Sequence, residues 1–218
     1  MKKLLTTTAI ILTISSGIAA QQAYAYIYGD NEVIVEDIVI AYSGEPANHF
    51  YHARESYLED YRKIAADDVR KGAKYVLLES ESAAGEGKTA LLSSYKNLLN
   101  LAHDMERSEH VDIHRINKVF THALYNMSHH QYIVAKESWA KKEAYKAGEA
   151  ISAAANNLRH AAAWAEVGLE ADGVAVVNEA RSIGKSLKEG SGWTEKQVGK
   201  GLENFGGLVT KVGKELEK

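Results

Sequence analysis

Apolar residues recur at intervals of three and four along most of the chain beyond about residue 48, the spacing of helices with one buried side. The clearest run is C-terminal. Val198, Leu202, Phe205, Val209, Val212 and Leu216 predict an amphipathic helix from Thr194 to the end. Thr194 reads as its N-cap, with Gln197 as the capping-box partner. A second seam, Ile113, Ile116, Phe120, Ala123, Met127, His130 and Val134, predicts a helix over 109–140 capped by Ser108. Ile151, Ala154, Leu158, Ala161 and Ala165 carry its successor to about Glu170, an αα-hairpin turning through "KKEAYKAG". One long helix is expected over 48–84 on Tyr57, Tyr61, Ile64, Val69, Tyr75 and Leu78, bent at Gly72. The next, over 88–107, uses Leu91, Tyr95, Leu98, Leu99, Ala102 and Met105, and another covers 172–188 before the break "EGSGW". The sum is an all-α, up-and-down bundle of five to six helices. With Pro46 as the only proline, nothing interrupts it with the strongest helix breaker.

The N-terminus departs from this pattern. Lys2 and Lys3, an uncharged apolar run and "AYA" at Ala23–Ala25 have the form of a secretory signal peptide. The expected organisation is a signal peptide over 1–25, an irregular segment over 26–47, a helical bundle over 48–190 and the C-terminal helix over 191–218. The stretch "YIYGDNEVIVEDIVIAY" reads either as a short hairpin around its turn signal or as a short helix, with helix after Asn31 preferred. A periplasmic or secreted protein follows, with no integral membrane segment once the signal is removed.

Composition narrows the function more than it identifies it. There is no cysteine, hence no disulfide, thiolate ligand or Cys nucleophile. Loss of Lys2 and Lys3 moves the net charge from −3 to −5, which argues against general nucleic-acid binding. Nine histidines supply positive charge in mild acid. No G-x-S-x-G, P-loop lysine or paired buried carboxylates are evident, so an enzyme is not expected.

The histidines are the candidate chemistry. At about 100° per residue, Tyr132 lies directly over His114, with Tyr125, His129, His122 and His110 close to the same line. This His/Tyr face falls opposite the apolar seam, and His130 sits at the seam's edge, where one hydrogen bond would satisfy it. His122 and His129 are roughly 10 Å apart along the axis, too far to share an ion. His110 and His114, at i and i+4, form the chelating pair of the helix, with His103 expected at the same level across the preceding turn and Asp104, Met105 and Glu109 nearby. His49 and His52 form a second pair. Copper or zinc is therefore the alternative ligand; no cofactor is otherwise expected. Glycines at 192, 199, 206 and 213 flank the last apolar stripe every seven residues. Such a row permits close approach of a neighbouring backbone, and a packed partner is preferred over a lipid surface.

With this layout, the chain is distantly similar to the YfdX-type periplasmic proteins, in its signal peptide, its size, its Ala-rich helices and its lack of cysteine. The resemblance is one of layout and transfers no functional residue. It implies a periplasmic, oligomeric helical protein tied to acid or envelope stress. The expected function is thus a non-catalytic binding or stress-response role, pH-responsive through the His/Tyr face. The expected partners are a second copy or another envelope protein, with metal sequestration or membrane-surface association as alternatives.

Overall fold

A computed structural model describes residues 44–107, 110–165 and 169–217. The expected signal peptide and the hairpin-or-helix segment through Tyr42 lie outside the described residues. The chain is all-helical there, with seven helices rather than five or six: α1 (Glu45–Leu58), α2 (Arg62–Ser82), α3 (Gly85–Glu106), α4 (Ile113–Ala140), α5 (Ala144–Trp164), α6 (Ala171–Glu189) and α7 (Glu195–Leu216). Successive helices pack on one another, and α4 also meets α1, α2 and α7.

The extra helix comes from a break that the periodicity did not show. α1 stops where Asp60 takes φ 65°. The Tyr61 N–H then reaches back to the Ser56 carbonyl at 2.8 Å and the Asp60 N–H to that of Tyr57 at 3.1 Å. This pair of bonds is the Schellman ending, usually built on glycine. It reverses the chain and re-phases α2. Tyr61 and Ile64, expected in the stripe, are 57% and 55% exposed, and Phe50, Ala65, Ala66, Ala73 and Val76 are buried in their place. Gly72 does not end or divide α2. It admits Phe50, whose ring carbons Cδ1 and Cζ would lie 2.9 and 3.1 Å from a Cβ at that position. Phe50 stacks on Phe120 at 4.5 Å between centroids.

The same ending closes α4, where Lys142 takes φ 64° and the Glu143 N–H bonds the Ser138 carbonyl at 2.9 Å. The turn after α4 is therefore three residues, shorter than the expected "KKEAYKAG". Asp112 caps α4, accepting the His114 N–H at 2.9 Å, so the helix begins later than the expected 109. Tyr57 ties the α3–α4 connection to α1: its hydroxyl accepts the Val111 N–H at 2.7 Å and donates to the Val111 carbonyl at 3.2 Å.

Two apolar clusters form. One joins α1, α2, α3, the first half of α4 and the end of α5, centred on Phe50, Leu98, Met105, Phe120 and Trp164. The other joins the second half of α4, most of α5, α6 and α7, around Ile151, Leu158, Phe205 and Val209. α4 belongs to both, as its predicted seam requires: Ile116, Phe120, Ala123, Met127, His130 and Val134 are all buried. In α3 the stripe is shifted, with Leu101 fully buried and Leu99 36% exposed.

The C-terminal helix packs as its stripe demands. The Thr194–Gln197 capping box forms, and Val198, Leu202, Phe205, Leu208, Val209 and Val212 are buried. Its partner corrects the expected His/Tyr face. Tyr125 and Tyr132 do not face water: they pack against the second cluster. The Tyr132 hydroxyl occupies the place of a Cβ at Gly206, and the Tyr125 hydroxyl that of a Cβ at Gly213. Tyr125 and Tyr132, seven residues apart on α4, thus meet Gly213 and Gly206, seven apart on α7, with the helices running antiparallel, while nothing lies within 4 Å of a Cβ at Gly199. Trp139 lies edge-on against Trp193, 5.3 Å away. Gly192 lies before α7, at φ 77°, and ends the repeat outside the helix.

Candidate functional site

The buried face of α2 runs through Val69, Ala73 and Val76. Helical spacing then brings Glu79 onto the same face, and its side chain is completely enclosed. An unpaired carboxylate cannot remain ionised in such a place without large cost, so its partners decide its state. The seam of α4 supplies them. Glu79 Oε1 lies 3.0 Å from His130 Nδ1, and Gln131 Nε2 donates to Glu79 Oε2 at 3.1 Å. Gln131 Oε1 in turn accepts from Asn157 Nδ2 of α5 at 2.9 Å. All four side chains are buried. The Ser128 hydroxyl adds a bond to the Ala154 carbonyl at 2.8 Å. The result is a polar layer of α2, α4 and α5 lying between the two apolar clusters. Burial pushes the Glu79 carboxyl above its ordinary value, and the bonds and charge from His130, with the bond from Gln131, oppose that rise.

His130 was expected to be a core-edge histidine satisfied by one hydrogen bond, and it has that bond. Its partner was not anticipated. The available signal was a glutamate three residues after Val76 on an apolar face.

The proposed metal ligands lie apart from this layer. His110 precedes α4 and is exposed, so it does not stand at helical i, i+4 spacing from His114. His114 is exposed in the first turn of α4. His103 is exposed at the end of α3, its Nε2 3.2 Å from the Arg107 guanidinium, a neighbour that repels a metal cation. Of the nearby donors, Asp104 pairs with Arg115, Met105 is fully buried in the core, and Glu109 lies outside the described residues. His49 is half-buried between α1 and α2, 3.8 Å from Asp68 and stacked on Tyr75 at 5.9 Å, whereas His52 on the same helix is exposed. Among the described residues, no group of three or more His, Asp or Glu is placed to hold a metal ion.

Of the remaining histidines, His160 and His122 sit where helices meet and His129 lies exposed on α4. His160 meets Tyr51 edge-on at 5.9 Å. His129, open to solvent on one side, stacks on Tyr125 at 6.3 Å. His122 lines a hollow of about 240 Å³ between α4 and the ends of α5 and α7, with His114, Lys118 and Glu215. Burial holds His49, His122, His129 and His160 below the ordinary histidine value. Lys118 adds to the effect at His122 and Arg159 at His160, while Asp68 opposes it at His49.

Three other hollows have different linings. One of about 430 Å³ lies between α6 and α7 beside Leu169, Leu208 and Lys211. Another, of about 560 Å³, lies along Tyr132, Trp139, Gly199 and Gly207. A third, of about 530 Å³, lies at the α1–α2 turn beside Tyr61 and Ile64. None of these three is lined by a histidine. No helix among the described residues is long and apolar enough to cross a membrane. No protein-family model, curated protein or solved structure matches the chain.

Proposed function

We propose that this is an exported, non-catalytic helical protein with a binding or envelope-stress role, whose association responds to mild acid through its histidines. The observation that carries the reading is where those histidines lie. His49, His122, His129 and His160 sit at contacts between helices or rings rather than converging on one pocket. Protonation there alters packing, and histidine is the side chain that titrates near neutrality. The envelope-stress part of the reading rests on the resemblance in layout. Light scattering of the purified protein at pH 7.5 and pH 5 is the test. A change in oligomer size is expected, and an identical size at both values rejects the reading.

Copper or zinc sequestration is the second reading, resting on the exposed His110 and His114 before and within the first turn of α4, helped by His103 at the end of α3 or by His49 and His52 on one turn of α1. Calorimetric titration separates the two. Micromolar binding abolished by His110→Ala with His114→Ala supports the first pair of ligands. Membrane-surface association through α7 would require the helix to leave the bundle, because its apolar side chains are buried there.

A further inference from the structure

The polar layer contains more information than hydrogen bonding alone. Gln131 spends its amide N–H on Glu79 Oε2 and its carbonyl on Asn157. Oε2 is therefore an acceptor, and any proton on the carboxyl belongs on Oε1, on the 3.0 Å line to His130 Nδ1. Gln131 and Asn157 are neutral. His130 is the one charged group acting on the carboxyl among the described residues, and α1 and α3, the other neighbours of α2, bring none. His129 stands beside His130 but opens to solvent.

Charge counting in this enclosed place leaves one favourable state. With two protons, an imidazolium is buried without a counter-ion. With none, a carboxylate is buried opposite a neutral ring. With one, the pair is either an ion pair or a neutral acid–base pair, and both are hydrogen-bonded. We propose that Glu79 and His130 form a one-proton latch that fastens α2 to α4 and is stronger in mild acid than above neutrality. It does not depend on the association reading.

The direction follows from linkage. In the unfolded chain the two groups together carry one proton between about pH 4.3 and pH 6.5 and none above about pH 6.5. Above that point folding takes up a proton. The folding constant then increases up to about tenfold for each unit of acidification.

The test is urea unfolding of the full chain at several pH values from 8 to 6.5, for wild type and Glu79→Gln. Gln keeps the volume and the hydrogen bonds but removes the shared proton. The other histidines are common to both proteins and cancel in the ratio. The ratio of wild-type to variant folding constants should grow by about thirtyfold as pH falls from 8 to 6.5; a ratio independent of pH overturns the latch. Should the variant not fold, ¹³C NMR of the wild-type Glu79 carboxyl decides. Its shift should hold steady from pH 5 to 8, and a titration step in that interval overturns the proposal. Association common to wild type and variant cancels in the ratio at equal protein concentration, so the outcome of light scattering leaves the latch standing or fallen on its own.

Discussion

Gly72 and Gly207 are both interior to helices, yet an added methyl group meets opposite surroundings. At Gly72 it runs into the fully buried Phe50 ring, which is already stacked on Phe120. At Gly207 nothing lies within 4 Å. Gly72→Ala should therefore destabilise by about 1–3 kcal/mol through overpacking. Gly207→Ala should stabilise by up to about 1 kcal/mol, by helix propensity alone. Urea denaturation of both variants checks the opposite signs. The sequence displays these glycines identically, and only the neighbouring ring distinguishes them. Glu79 was hidden for a related reason. A hydrophobic stripe is read from apolar residues, so a carboxyl group occupying one of its positions is skipped. His130 was legible because its seam neighbours on both sides are apolar.

At the scale of elements, stripes on α4, α5 and α7 were legible because each keeps one phase from end to end. The segment 48–84 was not, because Asp60 stops α1 in a conformation that the sequence does not mark with glycine or proline. That conformation costs an L-residue free energy that glycine does not pay. Asp60→Gly should stabilise the protein by about 1 kcal/mol, measured by urea denaturation, since the ion pair lost with Arg62 is exposed and worth little. The Tyr face of α4 was misplaced because a single wheel assigns each helix one buried side. α4 is central and has two, and the sign of the second was the matching seven-residue repeat of glycines on α7. Truncation after Gly190 removes six buried side chains, Val198, Leu202, Phe205, Leu208, Val209 and Val212, and uncovers Tyr125 and Tyr132. At roughly 1.5–3 kcal/mol for each fully buried side chain and about 2–4 °C per kcal/mol for a chain of this size, the melting temperature should fall by more than about 10 °C. Calorimetry of the truncated chain measures it, and an unchanged value together with loss of liposome binding assigns α7 to a membrane instead.

At the scale of the whole molecule, the folded state should be coupled to protons in the mildly acidic range, through two groups of residues that act in opposite directions. His49, His122, His129 and His160 are held below the ordinary value by burial. Their contribution is fully present above the unfolded histidine value of about 6.5 and is lost as pH falls below it toward their folded values. Glu79 is held above its ordinary value by burial, so its contribution runs the other way and is lost as pH rises. Sharing its proton with His130 places that loss above about pH 6.5. Together they predict stability greatest near the middle of this range. The measurement is the melting temperature of the purified protein at half-unit steps from pH 8 to pH 5. A rise from pH 8 to about pH 6.5 and a fall from there to pH 5 is expected; a melting temperature that stays flat across the whole interval contradicts this coupling.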